Sequence, residues 1–346
     1  MTDNCNSVLL IYTGGTIGMI ENTQTGGLEP FNFDHLTHNM SELSRLNFNI
    51  QTYLFNPPLD SSEISPDKWK EMVHVIEENF NSFDGFVILH GTDTMAYTAS
   101  ALSFMFSNLT KPVILTGSQL PIGKLRTDGK ENLITALEIA ASKDDEGLPI
   151  VPEVCIYFQN ILLRGNRTTK VNAENFSAFS SPNYKVLAET GVDIKYDYDG
   201  ILKPNPELPT RFSYNLDNHV VVLRLFPGIT RETVSAILSI PSLKGVVLET
   251  YGSGNALLDD WFVEELEYAD NHNLVIVNIT QCLYGSVVMH RYETGQNLEK
   301  HGVVSGYDMT TEAALAKMMF LFGMGYLPNE VGKLMPKSLR GELTNR

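Results

Sequence analysis

Short apolar runs alternate with longer segments of helical period along the chain. Val8–Tyr12, Phe86–Leu89, Val113–Thr116 and Val154–Phe158 are nearly continuous in apolar residues. That pattern predicts strands buried on both faces, as in a parallel sheet covered by helices. Phe48, Ile50, Thr52 and Leu54 instead alternate with polar neighbours, which predicts a strand near an edge. Between these strands, Trp69, Met72, Val73, Ile76 and Phe80 recur at helical spacing behind Ser65-Pro66, an N-cap followed by a first-turn proline. Ala99, Leu102 and Phe106, then Leu133, Ala136, Leu137 and Ala140, mark two further helices.

From about Gly191 to Asn218 the periodicity stops, and Lys203-Pro204, Pro206, Pro209 and several aspartates take over. This reads as a linker over residues 191–218, between an N-terminal domain over 1–190 and a C-terminal domain over 219–346. In the second series, strands are predicted at Val220–Phe226, Val246–Leu248 and Leu274–Ile279, and helices at Thr233–Ile240, Asp260–Asn271 and Thr311–Phe322. The fold class is therefore α/β, with a larger N-terminal parallel-rich sheet flanked by helices and a smaller C-terminal α/β domain.

Charge narrows the functional classes. Asp plus Glu number 41 against 25 Lys plus Arg, a net charge of −16. A phosphate-backbone binder or a protein held on an anionic membrane needs the opposite balance, so neither nucleic acid nor membrane is expected as a partner. Three scattered cysteines, Cys5, Cys155 and Cys282, do not form a disulfide framework and predict reduced thiols. Met1–Ser7 lacks a basic signal-peptide start, so a cytoplasmic location is expected.

Ligands of open α/β sheets bind beyond the carboxyl ends of the strands. The loops there are Thr13-Gly14-Gly15-Thr16-Ile17-Gly18, Asp60-Ser61-Ser62, His90-Gly91-Thr92-Asp93-Thr94 and Thr116-Gly117-Ser118-Gln119. They offer hydroxyls, tight backbone turns and carboxylates, which suits a small polar ligand that also reacts. A dinucleotide loop is excluded because Thr13 stands where its first glycine belongs. A phosphate loop fails because Gly117 and Gly123-Lys124 are one residue too far apart and Leu125 follows. A calcium loop at Asp197-Tyr198-Asp199-Gly200 fails because Lys195 fills the first ligand position. His90 reads as a packed histidine, and no histidine spacing suggests a metal.

Taken together, these loops resemble those of a known family. Thr13–Gly18 and Gly85-Phe86-Val87-Ile88-Leu89-His90-Gly91-Thr92-Asp93-Thr94-Met95 are similar to the two signature segments of the bacterial-type asparaginases. The likeness extends through Lys111–Pro121, Leu125–Gly129, Arg164–Lys170, Tyr251–Ala256, Thr280-Gln281-Cys282 and Leu339–Thr344, and it is greatest to the type I cytoplasmic branch.

The resemblance implies hydrolysis of L-asparagine to L-aspartate and ammonia without a cofactor. Thr16 would form an acyl intermediate, with Thr92, Lys170 and Asp93 as a second hydroxyl–amine–carboxylate relay. Asp60, Ser61, Ser62, Thr92 and Asp93 would bind the substrate's α-groups. Amide hydrolysis needs a nucleophile, a route for its proton and an oxyanion site. Backbone N–H groups near Thr92 are the expected oxyanion donors. A lysine, ordinarily near pKa 10.4, needs burial to work as a base. The family assembles as dimers and as dimers of dimers, so a homo-oligomer is implied. Two rival readings are the asparaginase-like subunit of a tRNA-dependent amidotransferase and a non-catalytic amino-acid sensor. The amidotransferase subunits carry an N-terminal addition, whereas the first strand here starts at about Ser7. A sensor has no need of Thr16, Thr92, Asp93 and Lys170 together.

Two positions depart from the family's pattern. Periplasmic members carry a tyrosine on the loop after the nucleophile, but Glu21–Pro30 contains none, with Leu28 near its place. Asn22–Gly27 has the composition of a flexible lid. Regulated type I members bind a second asparagine, partly on the turn matching Thr280-Gln281-Cys282, and carry an arginine where this chain has Glu249. A glutamate there would repel an α-carboxylate, so loss of that effector site is expected.

Overall fold

The computed structural model describes residues 6–21, 28–30, 41–290 and 293–344. Cys5 and the lid expected over Asn22–Gly27 lie outside the described residues. The chain forms two units, one of residues 1–181 and 185–213, the other of 182–184 and 214–346.

The first unit is built on eight strands: β1 (Ser7–Gly14), β2 (Asn49–Leu59), β3 (Gly85–Leu89), β4 (Val113–Thr116), β5 (Val154–Phe158), β6 (Ile161–Arg164), and, after a short pair β7 (Thr169–Lys170) and β8 (Phe179–Ser180), β9 (Ala188–Thr190) and β10 (Ile194–Tyr196). Their order across the main sheet is β10-β9-β6-β5-β4-β3-β1-β2. The run from β2 to β5 is parallel, and β6, β9 and β10 add antiparallel strands beyond it. All of β3, β4 and β5 is buried, which is why those segments read as unbroken apolar runs.

At the other edge, β2 keeps register with β1 up to Tyr12 opposite Leu54, then slips so that Gly14 faces Leu59. The expected alternation is not kept just before the slip, where Tyr53 and Leu54 are exposed and Phe55 is buried. Among the described residues, this unit has three α-helices, α1 (Pro66–Asn79), α2 (Met95–Met105) and α3 (Gly129–Ala141). Ser65 caps α1 by position, but its side chain makes no cap hydrogen bond. Every residue of α2 except Tyr97 is buried, so its apolar residues run all round rather than along one stripe.

The antiparallel end went unforeseen. Phe158 pairs with Ile161 across a two-residue turn in which Gln159 and Asn160 take φ of 44° and 65°. Without glycine, that left-handed turn carried no hairpin signal. Within 191–218, residues 194–196 form β10, and Arg211–Phe212 pairs with Phe106–Ser107.

The second unit holds a parallel sheet, β11 (Val220–Arg224), β12 (Gly245–Thr250), β13 (Val275–Thr280) and β14 (Val304–Ser305), in that order. Its helices are α4 (Arg231–Leu238), α5 (Asp260–Asn271), α6 (Glu293–Lys300), α7 (Thr311–Gly323) and α8 (Pro328–Leu334). Val246, Leu248, Phe262, Leu266 and Ile276 are at the centre of one apolar core. The C-terminal residues fold back on α7, where Lys317 and Glu342 form an ion pair of 2.6 Å with both side chains fully buried.

Candidate active site

Three strand-end turns of the first unit pack backbone against backbone. A Cβ on Gly14, at φ 139°, would fall 2.0 Å from the Leu59 carbonyl oxygen. One on Gly15, at φ 89°, would meet the Gly91 backbone at 2.6 Å. One on Gly91 would meet the Ser61 side chain at 2.6 Å. Side chains at these positions would pry the turns apart, so the glycines are what bring the loops after β1, β2 and β3 to one place. Thr16 opens a single 3-10 turn, Thr16–Gly18. Beneath it the Tyr12 hydroxyl donates to the Gly18 carbonyl at 3.3 Å, and burial pushes that phenol up to about 12, which keeps it a donor.

The second turn is held by Asp60. Its carboxylate accepts from the Ser62 backbone N–H and hydroxyl, each at 2.8 Å, and these bonds hold the carboxyl below its ordinary range. The buried Ser61 gives its carbonyl to the Thr94 hydroxyl at 2.6 Å.

The third turn rests on His90, which is buried. Trp69 Nε1 donates to Thr98 Oγ1 at 3.0 Å, and Thr98 Oγ1 lies 2.9 Å from His90 Nε2. His90 Nδ1 lies 2.7 Å from the Gly91 carbonyl oxygen. One neutral tautomer satisfies the whole chain, with Thr98 donating to Nε2 and Nδ1–H donating to Gly91. Burial pushes the imidazole down to about 4, in keeping with that neutral form. His90 is thus packed, and its ring nitrogens are engaged beneath the turn that carries Thr92.

Lys170 arrives from the antiparallel end of the sheet. The turn Gly165–Arg167 follows β6 and leads into β7. Lys170 Nζ donates to Thr92 Oγ1 at 2.9 Å and to Asp93 Oδ1 at 2.6 Å. The lysine side chain is 16% exposed and that of Asp93 68%, so the amine is shielded while its carboxylate partner faces solvent.

These groups line a cleft of about 540 Å³. It brings together Thr16, Asp60, Ser61, Thr92, Asp93 and Lys170, while Ser62 stays outside the lining and supports Asp60. Met19, Pro58, Leu59, Glu63, Gln119 and Ala173 also line it. The sequence reading singled out none of these six as site residues; only Gln119 carried a signal, its place in a strand-end loop. Hydroxyls and a paired amine in one cleft fit nucleophilic attack on a small polar carbonyl compound. Among the described residues, no group of three or more His, Cys, Asp or Glu side chains is placed to hold a metal ion.

The other expected residues lie in the second unit. Glu249 is buried, and it accepts from Arg224 Nη1 at 3.2 Å and Thr311 Oγ1 at 2.6 Å. Gln281 Nε2 donates to the carbonyls of Leu225 and Glu249 at 2.7 and 2.9 Å. The Thr280 hydroxyl donates to Gly252 at 2.6 Å, and Cys282 is exposed.

Family models match both halves of the chain: "Asparaginase, N-terminal" over residues 7–201 and "Glutaminase/Asparaginase C-terminal domain" over 219–335. The chain is 41% identical to L-asparaginase 1 of Escherichia coli strain K12, over 98% of this chain and 98% of that one. It is also 41% identical to a Mus musculus protein called 60 kDa lysophospholipase, covering 97% of this chain but only 62% of that relative's length. The crystal structure of L-asparaginase I from Vibrio cholerae superposes with a TM-score of 0.90 at 40% identity, covering 99% of this chain and all of the other.

Proposed function

The chain belongs to the bacterial-type asparaginase family, and on that premise we propose that it hydrolyses the side-chain amide of L-asparagine to L-aspartate and ammonia. The observation that carries this reading is the Lys170–Thr92–Asp93 arrangement in the cleft that Thr16 also lines.

In the proposed reaction, Thr16 Oγ attacks the amide carbon as its proton passes to a neighbouring base. The tetrahedral oxyanion is held by backbone N–H groups at the Gly91–Thr92 turn. Collapse of the intermediate protonates and releases ammonia and leaves an aspartyl ester on Thr16. A water, activated by Thr92 and Lys170, then attacks that ester and frees aspartate and the threonine hydroxyl. The close approach of Gly15 to Gly91 supports this assignment, because it sets the two threonine turns side by side. Asp93 orients Lys170 and, with Asp60 and Ser61, offers acceptors to the substrate's α-ammonium.

The lining also bears on the activity named for the mouse relative. Hydroxyls, carboxylates and an amine suit a zwitterion, whereas an acyl chain needs a long apolar groove. We further propose a cytoplasmic homo-oligomer that needs no cofactor. The test is ammonia release by the purified chain from L-asparagine and, separately, L-glutamine. Turnover of asparagine supports the reading, and absence of ammonia from asparagine sinks it.

A further inference from the structure

Gln119 follows β4 and lines the reactive cleft beside Lys170. Its backbone is fixed from one side. The Asp128 carboxylate accepts from Gln119 N–H at 3.0 and 3.1 Å and from Leu120 N–H at 3.1 Å. Asn132 ties this carboxylate to the Gly117 carbonyl, with bonds of 3.3 and 3.0 Å. The glutamine therefore projects from a turn anchored on α3.

Its side chain reaches across to the segment that follows Lys170. Nε2 donates to the Ala173 carbonyl at 3.3 Å and to the Asn175 carbonyl at 3.0 Å. Both partners are acceptors, so only the amide nitrogen can face them. The segment is a closed loop: Val171 and Asn172 N–H donate to the Ala178 carbonyl, and Asn172 Oδ1 accepts from the N–H of Glu174 and Asn175. It is otherwise exposed through residues 171–175. Gln119 and Ala173 also form the wall between the reactive cleft and a neighbouring one of about 410 Å³, which Leu120, Arg126, Glu174 and Phe176 complete.

We propose that Gln119 is a positioning residue for the hydrolysis: its amide pins the 171–175 loop and so holds Lys170 on Thr92 and Asp93, with the neighbouring cleft walled off. The inference rests on the relay reading of Lys170. Lys170 and the loop share one backbone, and β7 pairs with β8 over only two residues on each strand. Two residues of ladder leave the lysine's backbone with few restraints of its own, so the side-chain tether supplies what the short strand does not. A misplacement of about 1 Å at a reacting group can cost on the order of 100-fold in rate.

Three variants of the full chain test this, each assayed for steady-state asparagine hydrolysis and for amide hydrogen exchange. Gln119→Met keeps the length but removes the donor. It should lower kcat at least tenfold, leave KM within about twofold, and speed exchange in residues 171–178 but not in α3. Gln119→Glu sets a carboxylate against two carbonyls and should lose more rate than Gln119→Met. Lys170→Met reports on the underlying reading by itself. If Lys170→Met keeps its rate, the relay fails and takes the inference with it. If Lys170→Met is inactive while Gln119→Met and Gln119→Glu turn over like the wild type, even with faster exchange, the relay stands and the positioning role is overturned.

Discussion

Lys170 Nζ donates to Thr92 Oγ1 at 2.9 Å, so the lysine is bound to one of the cleft's two threonines and makes no such bond to Thr16 among the described residues. On the proposed mechanism, this gives the two hydroxyls separate roles. In that mechanism, Thr16→Ala removes the attacking oxygen, and it changes none of the groups in the Lys170–Thr92–Asp93 arrangement. Its turnover should fall by at least about 10⁴-fold, the scale on which losing a nucleophile is felt. Asparagine should still bind, measured by calorimetry on the inactive variant. Substantial residual turnover in Thr16→Ala would transfer the nucleophile's role to Thr92.

His90 makes a pH prediction about the fold under the site. Its imidazole is at about 4 in the folded chain against 6.5 ordinarily, because burial disfavours the charged ring. Between those values the unfolded chain binds more protons, so stability rises with pH. The contribution is fully present above pH 6.5 and is lost as pH falls through 4. A depression of that size corresponds to roughly 3 kcal/mol. Urea unfolding from pH 7 to pH 4 should show this slope, and His90→Gln should flatten it. An unchanged slope in His90→Gln would assign the acid sensitivity to other groups.

How much of this was legible in the sequence follows from where side chains find their partners. Strands covered on both faces announce themselves, as Phe86–Leu89 does, because every position is apolar. The antiparallel end did not, because it contains buried charge. Arg164 ends β6 with 3% exposure and is paired with Glu153 at 2.6 Å; in a sequence it looks like surface. The strand-end turns were legible because glycine and threonine there have few other reasons to recur. Lys170 was singled out only through family resemblance, since nothing local to it marks it as a site residue. Gln119 was unreadable as a tether: its acceptors lie 54 and 56 residues away, and they are backbone carbonyls that any residue supplies.

The Lys317–Glu342 pair predicts a second stability effect, remote from the cleft. Lys317 Nζ also donates to the carbonyls of Met335 and Lys337, and Glu342 accepts from the N–H groups of Leu339 and Arg340. Burial lowers the lysine's pKa, and the neighbouring Glu342 opposes that shift. Lys317→Met would strand a buried carboxylate and should cost about 3–5 kcal/mol. The double variant Lys317→Met, Glu342→Gln should recover part of the loss, since it leaves no unpaired buried charge. Chemical denaturation of the two variants compares them directly, and equal stability of Lys317→Met and wild type would refute the assignment.

Kinetic control by asparagine depends on whether the turn at Thr280–Cys282 can still hold an amino acid. An arginine can clamp an α-carboxylate with two charge-assisted hydrogen bonds. Here Glu249 stands in that place and engages the neighbouring cation, accepting from Arg224 at 3.2 Å and from Thr311 at 2.6 Å. Gln281 spends its amide on two backbone carbonyls, and the Thr280 hydroxyl is turned to Gly252. A ligand entering the turn would face a carboxylate and would have to displace Arg224 from it. Allosteric control needs an effector that binds one state better than another, and Glu249, Thr280 and Gln281 already have partners within the chain. Initial rates should therefore rise hyperbolically with asparagine from well below to well above half-saturation, and Cys282→Ser should leave the curve unchanged. A sigmoidal curve, or a second asparagine bound beside Cys282, would mean that the effector site works without an arginine at position 249.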